Sequence, residues 1–536
     1  MFPKILSCTL FFLEETATDY IAKDKSIWSK IPPSENRTGS RNILHQRAGP
    51  HTSTRNLTPL EVFKKFLSIE IITQIVRFTN QKAEKTYRAY NATHPAAEPL
   101  VWEKVTSTEI YSFIGLLITA GANNSSTDPV EEMWKSNSYP LYRATFSRSR
   151  FKSILRFIRF DDSNTRRQRL EVDKIAPISD IWKMMNENLY KFYKPTENLT
   201  IDEQLFPYRG RTRFTQYIPS KPAKYGIKIW WICDAETKFP LQGNIYTGKS
   251  GNIREKAQGE RVVKELAVFY KNSGRNICMD NFFTTLPVTK FLLGWNLTVV
   301  GTLKKNKPYI PKAMAPSKTR ELYSTVFGFH EKITICSYVP NKNKAVILLS
   351  SMHLDTATRG DEKKKPEIIL HYNKNKSGVD TMDQMLTRYS TKRRTNRWPL
   401  TIFFNMLDIS SLATYIIYYE NNYMLKKRKF ERRMFLRQLG EELARPSIEK
   451  RAANSKITRI FSTRLAIESV IGKLTCHQEI LASRDASGRK RHQGCCYACG
   501  EQEIRKRRKT RKICQNCEKP VCNEHSVNVV KCLACQ

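Results

Sequence analysis

Hydrophobic positions settle into a helical period just after Leu57. Thr58-Pro59-Leu60-Glu61 is a capping box with proline at the first helical position, and Val62, Phe63, Phe66 and Leu67 follow at helical spacing. A second capping box, Thr106 to Glu109, opens a helix carrying Ile110, Phe113, Ile114 and Leu117. Further amphipathic helices are predicted at 147–160 and 177–193, so the region from 58 to 197 is mainly helical. From Leu199 the period shortens. Strands are predicted at 199–202, within 224–246 around a turn at Asp234-Ala235-Glu236, at 276–280 and at 297–303, with a helix at 284–293 between the last two. Such alternation implies a mixed α/β core. Residues 304–366 are rich in Lys and Pro with strand-like stretches at 332–338 and 345–350, the pattern of a β-rich insertion. A strand at 367–372 then returns to the core, a helix begins near Gly378, and aromatic-rich helical sequence fills 399–440. Polar stretches at 16–56 and 445–494 read as a mostly flexible start and a linker. The opening Met1–Leu13 is apolar with one cation and no small-residue cleavage site before Glu14, so it reads as an irregular start rather than a signal peptide.

Charge narrows the picture to polyanion partners. The 536 residues carry 91 Lys and Arg against 50 Asp and Glu, a formal net charge of +41. An excess of that size repels itself in a compact chain unless a polyanion lies against it, and nucleic acid is the expected one. A ribosomal or membrane-surface protein is the rival reading, but here the charge is spread over a large folded chain. No run of eighteen apolar residues predicts a membrane span.

Three carboxylates stand where a metal site would need them. Asp202 and Asp280 close predicted strands, and Asp380 opens a predicted helix with Asp383 three residues later on the same face. Converging carboxylates repel, and a divalent ion with hard oxygen ligands, Mg²⁺ or Mn²⁺, is the usual remedy. Such ions serve phosphodiester displacement. Two of these acids, Asp202 and Asp380, are closely followed by base. Arg209, Arg211, Lys221 and Lys224 follow Asp202, and Arg388, Lys392, Arg393, Arg394 and Arg397 follow Asp380, together with Trp398. The cations suit phosphates and the indole suits stacking on an unpaired base, against the alternative that Trp398 starts a helix and packs in the core.

Cysteine usage adds a second metal. Eight of the 13 cysteines lie between Cys495 and Cys535; with Cys495 as the spare, the other seven and His525 fall in the order Cys496-x2-Cys499-x14-Cys514-x2-Cys517-x4-Cys522-x2-His525-x6-Cys532-x2-Cys535. Four pairs, each with two intervening residues, supply two tetrahedral Zn²⁺ sites in a reducing compartment. The order suits a cross-braced module, with Cys496, Cys499, Cys522 and His525 on one ion and Cys514, Cys517, Cys532 and Cys535 on the other. A sequential pairing is the alternative. The loop between the first two pairs contains Arg505, Lys506, Arg507 and Arg508, a DNA-phosphate contact or nuclear import signal.

In six segments the chain resembles the piggyBac-type transposases of the DDE/D superfamily: Leu199–Gly210 (LTIDEQLFPYRG), Tyr217–Ile229 (YIPSKPAKYGIKI), Asp280–Pro287 (DNFFTTLP), Val299–Asn306 (VVGTLKKN), Ser377–Met385 (SGVDTMDQM) and Arg394–Pro399 (RTNRWP). The resemblance implies an α/β fold with an RNase H-like catalytic core, and it maps the family's catalytic aspartates onto Asp202, Asp280 and Asp380, with Asp383 as the accessory fourth. It implies a flexible 1–57, a helical dimerisation and DNA-binding domain at 58–197 and 390–470, a core at 198–306 and 367–389, a β-rich insertion at 307–366, a linker at 471–494 and a zinc-binding domain at 495–536. The implied activity is cut-and-paste transposition by a nuclear homodimer. Its steps are nicking at the terminal repeats of double-stranded DNA, hairpin formation, and strand transfer into TTAA with seamless excision; neither a membrane nor a small-molecule substrate is involved. In that family the zinc tail recognises the end repeats. The rivals are a domesticated DNA-binding or chromatin protein without catalysis, which the four intact aspartates argue against, and a zinc-dependent ubiquitin ligase, which the acidic core argues against. The family often carries a long acidic N-terminal segment, whereas this chain opens on an apolar one.

Overall fold

A computed structural model describes residues 15–34, 44, 46–248, 255–422, 431–474, 494–501, 508–514 and 519–527. It divides into two compact units, Met1–Ile448 and Glu449–Gln536.

In the first unit, strands β1 (Asp19–Ile21), β2 (Ile27–Ser29) and β3 (Gly49–Pro50) precede a run of helices: α1 (Pro59–Phe66), α2 (Ile69–Thr93), α3 (Ser107–Ala122), α4 (Val130–Met133), α5 (Pro140–Thr145), α6 (Arg148–Phe157), α7 (Arg166–Val172) and α8 (Ser179–Phe192). Both predicted capping boxes form. The Thr58 backbone N–H donates to Glu61 at 2.8 Å while the Glu61 N–H donates to the Thr58 hydroxyl, and Thr106 and Glu109 repeat the exchange. Each box satisfies helix-end donors that have no partner within the helix.

Then the chain becomes a sheet: β4 (Tyr193–Lys194), β5 (Asn198–Pro207), β6 (Thr215–Tyr217), β7 (Tyr225–Asp234), β8 (Pro240–Ile245), β9 (Asn276–Met279), β10 (Thr298–Thr302), β11 (Thr325–His330), β12 (Ile333–Asn341) and β13 (Lys344–Ser350), with α9 (Gln258–Ala267) and α10 (Leu286–Leu293) between them. Helices α11 (Glu367–Asn375), α12 (Gly378–Arg388), α13 (Trp398–Asn421) and α14 (Arg432–Ala452) follow. The main sheet runs β1-β2-β11-β12-β13-β10-β9-β5-β7-β6, and β8 also pairs with β7. Strand β5 is antiparallel to β7 and parallel to β9; β9 is parallel to β10; β10 is antiparallel to β13. The β-rich residues 307–366 therefore extend the same sheet. Helix α13 is apolar enough to cross a membrane, yet 94% of its most apolar window is buried inside the protein, so it serves as a core helix.

Three expectations are corrected. Residues 367–372 are helical, not a strand. Pro366 precedes the first turn, and Ile368, Ile369 and Tyr372 bury one helical face against Cys278, Val300, Tyr338 and Leu348. The start of the chain is ordered over 15–34: β2 pairs with β11, and Trp28 is fully buried with its indole N–H donating to the Tyr309 carbonyl at 2.9 Å. The polar stretch at 445–494 is helical in part, because α14 runs to Ala452 and two more helices, α15 (Ser455–Thr458) and α16 (Phe461–Ile471), follow. The second unit also holds β14 (Gly494–Cys495), α17 (Tyr497–Glu501) and β15 (Lys509–Thr510), with β14 and β15 antiparallel.

Candidate active site

The acidic residues meet through sheet register. In the parallel pair β5–β9, Ile201 stands beside Met279, so the next residues, Asp202 and Asp280, leave the register side by side where β9 ends. Asp202 is still inside β5, paired across to Trp231 on β7. Asp280 turns the chain toward α10, its carboxylate accepting the Phe282 N–H at 2.8 Å. The third acid arrives on α12, whose start lies close against β5. A Cβ on Gly378 would sit 2.6 Å from the Thr200 hydroxyl oxygen, so only glycine permits that approach. The same Thr200 hydroxyl donates to the Asn375 carbonyl at 2.7 Å, fixing the α11–α12 junction. One turn further on, the Asp383 carboxylate accepts from the Gln204 amide at 2.8 Å.

A cation stands among these acids. Lys221, on the connection between β6 and β7, places its ammonium 2.9 Å from an Asp380 carboxylate oxygen and 2.9 Å from the Glu203 carbonyl, with a Glu203 carboxylate oxygen at 3.9 Å. Burial, then the neighbouring Glu203 carboxylate, drives the Asp202 pKa well above the ordinary carboxylate range, and Lys221 offsets only part of this. Burial likewise raises Asp280 and Asp383. Burial works against the Lys221 charge too, but Asp380, Asp202 and Glu203 outweigh it and its pKa rises. Hard carboxylate oxygens whose negative charge is under-compensated fit a divalent oxygen-seeking ion.

Behind Asp383 lies a buried amide pair that the sequence reading missed. Gln204 and Asn405 are both fully buried; the Asn405 amide donates to the Gln204 carbonyl oxygen at 3.1 Å, and the Trp231 indole donates to the same oxygen at 3.0 Å. A polar Gln at a buried strand position was the available signal, because such a group must find partners. Glu203 was also passed over.

The basic residues divide by exposure. Arg209, Arg211, Lys224, Arg388 and Arg394 are exposed, and Lys392 is half-buried. The Tyr208 hydroxyl donates to the Asn396 carbonyl at 2.8 Å, which ties the end of β5 to the 392–397 loop. Arg393 departs from the expected phosphate role: it is 6% exposed, and its guanidinium holds the Asp128 carbonyl and the Met133 sulfur. Arg397 is committed as well, donating to the carbonyls of Leu155, Arg156 and Ile158 at the end of α6. Trp398 opens α13 half-buried, edge-on to Phe214 at 5.2 Å, and lines a cleft of 630 Å³ with Arg159, Arg166 and Arg213.

The chain as a whole has known counterparts. The Transposase IS4 family profile matches residues 58–412. A piggyBac transposase, solved by cryo-EM as a synaptic complex with hairpin DNA, aligns with a TM-score of 0.78 at 32% identity, covering 92% of this chain and 100% of that one. The chain belongs to the piggyBac family of transposases. Among curated human proteins, PiggyBac transposable element-derived protein 3 is 25% identical over 377 residues, 65% of this chain and 60% of its own length. PiggyBac transposable element-derived protein 2 is 23% identical over 386 residues, 66% of this chain and again 60% of its own. The chain thus spans about three-fifths of those relatives.

This piggyBac-family chain has a second ligand group in its C-terminal unit. The ligand atoms of Cys496, Cys499, Cys522 and His525 all lie within 4.8 Å of one another. The Cys522 N–H donates to the Cys496 sulfur at 3.2 Å, and the Cys496 N–H donates to the Arg508 carbonyl at 2.8 Å. Three sulfurs and an imidazole fit Zn²⁺. Arg508 itself pairs with Glu524. Of the other predicted set, Cys514 follows β15, while Cys517, Cys532 and Cys535 lie outside the described residues, as do Arg505, Lys506 and Arg507. Among the described residues the aspartates do not close to 4.8 Å as the Cys/His group does.

Proposed function

We propose that the chain is a metal-dependent cut-and-paste DNA transposase whose catalytic residues are Asp202, Asp280, Asp380 and Asp383. The observation that carries this reading is the parallel register setting Asp202 beside Asp280, with Asp380 drawn to the same edge through Lys221. The order β8-β7-β5-β9-β10, three antiparallel strands then two parallel ones, supports an RNase H-like core. Mg²⁺ or Mn²⁺ held by Asp202, Asp280 and Asp380 would supply the positive charge that polarises a phosphodiester and stabilises the leaving oxygen. Asp383, fixed by Gln204, keeps the helix bearing Asp380 in place. The exposed Arg209, Arg211, Lys224, Arg388 and Arg394 offer donors to DNA phosphates, and Trp398 offers a face to a splayed base beside its cleft.

The steps are nicking at the transposon end, hairpin formation, and strand transfer into TTAA, performed by a nuclear homodimer holding two ends. The neighbour's hairpin complex supports the hairpin step. Two Zn²⁺ ions, one on Cys496, Cys499, Cys522 and His525 and one on Cys514, Cys517, Cys532 and Cys535, form the end-binding tail. The test is excision of a marker flanked by the chain's own terminal repeats in Mg²⁺. Wild type excises, and Asp202→Asn, Asp280→Asn and Asp380→Asn do not. An inert wild type that still binds the repeats would favour the alternative, a transposon-derived DNA-binding protein without catalysis, in line with the names of the human relatives.

A further inference from the structure

Lys221 is more than one of several cations near the site. Its side chain is 15% exposed, and its ammonium bonds at 2.9 Å to both the Asp380 carboxylate and the Glu203 carbonyl. It sits on the connection between β6 and β7, whereas Asp380 belongs to α12, so this contact joins two separately built parts of the acidic cluster. Asp380 is 60% exposed and draws its ion-pair partner among the described residues from Lys221 alone. A divalent ion bound to Asp380 would share a carboxylate whose Oδ1 already holds the Lys221 ammonium, and would face that ammonium at close range.

We propose that Lys221 is a tethered counter-ion: it positions Asp380 in the metal-free site and competes with the divalent cation for that carboxylate. The inference rests on the reading of Asp202, Asp280 and Asp380 as the metal site. Lys221 is accordingly a positioning residue, and its release toward a DNA phosphate would accompany metal loading. Like charges a few ångströms apart repel strongly in a partly buried site, and screening reduces this without removing it. Deleting the ammonium while keeping the aliphatic stem should tighten cation binding by about tenfold or more.

The experiment measures Mn²⁺ binding to full-length protein without DNA, by the loss of the free-Mn²⁺ paramagnetic resonance signal, for wild type, Lys221→Met, Lys221→Arg and Asp202→Asn, with folding checked by thermal melting. Lys221→Met should bind Mn²⁺ at least tenfold more tightly than wild type, whereas Lys221→Arg, which keeps the charge, should stay near wild type. Lys221→Met binding equally or more weakly, while Asp202→Asn abolishes the wild-type site, would overturn the counter-ion role and leave the transposase reading standing. Equal Mn²⁺ binding by wild type and Asp202→Asn would overturn the metal-site reading, and this inference with it. If Lys221→Met fails to fold, Lys221→Gln takes its place with the same expected tightening, and equal or weaker binding by it overturns the proposal.

Discussion

The amide pair behind Asp383 makes a quantitative prediction about how the site is held. Replacing Gln204 by Leu removes four interactions at once: its donations to the Asp383 carboxylate at 2.8 Å and to the Asn405 side-chain oxygen at 3.3 Å, and its acceptance from Trp231 at 3.0 Å and from Asn405 at 3.1 Å. The bond to a charged acceptor is worth about 1.5–3 kcal/mol, and each buried donor left without a partner costs about 1–3 kcal/mol. Leucine fills most of the volume, so little cavity term is added, and with donors orphaned on Trp231 and Asn405 the expected loss is about 3.5–9 kcal/mol. Asn405→Leu should cost less, about 1–3 kcal/mol, because Gln204 keeps both Trp231 and Asp383. If the two amides satisfy each other, the double variant costs less than the sum by about 1–2 kcal/mol, since neither amide remains to be orphaned. Urea denaturation of the four proteins at pH 7.5 gives the cycle. Strict additivity, or a Gln204→Leu loss below about 1 kcal/mol, would refute the claim that this network fixes Asp383.

Three other outcomes follow from the same structure. Asp408, fully buried under the donated Thr391 N–H and Ser390 hydroxyl, has its pKa pushed by burial up to about 7. Its stability contribution is present below the unfolded pKa near 4 and is lost as pH rises to about 7, a swing of roughly 4 kcal/mol at most, so melting curves of wild type minus Asp408→Asn should fall across that window and flatten above it. Burial followed by the His371 charge lowers His353 to about 4; its contribution is present above pH 6.5 and lost as pH falls toward 4, and His353→Gln should remove that acid-side slope. Cys499→Ser should lower the zinc content by about one ion per chain on elemental analysis and weaken binding of the terminal repeats, with the Mn²⁺ affinity of the aspartate site unchanged.

What the sequence made legible was chemistry and local structure; what it hid was contact. The two capping boxes, the strand at Asp202 and the helix at Asp380 each follow from a few adjacent residues. Residues 367–372 read as a strand because Glu-Ile-Ile-Leu-His-Tyr is a short apolar run, and periodicity cannot separate a buried strand from a buried helix face at that length. Pro366 before an acidic first turn was the overlooked signal. Trp28 was hidden for another reason: β1 and β2 are too short to be stable alone, and they exist because the insertion strands bury that indole, with its partner carbonyl at Tyr309 far along the chain. Arg393 and Arg394 are neighbours of identical chemistry, yet one is buried against the 128–133 segment and the other is exposed. No local pattern distinguishes them.

The same limit explains why Lys221 was read as a phosphate ligand. Proximity of base to acid in sequence suggests two roles served side by side, metal on the acids and phosphate on the bases. The fold carries the β6–β7 base onto the acid brought by a different element, and on the counter-ion proposal the two roles compete. Such a pairing keeps a cluster of carboxylates from repelling one another before a substrate arrives, at the cost of weaker binding to the ion they serve. On that argument the register of β5 with β9 selects which acids converge, and the lysine sets how readily they are filled. Asp202 is paired within β5 and Asp280 directly follows the last paired residue of β9, so Asp380 is the acid whose availability this chain can vary.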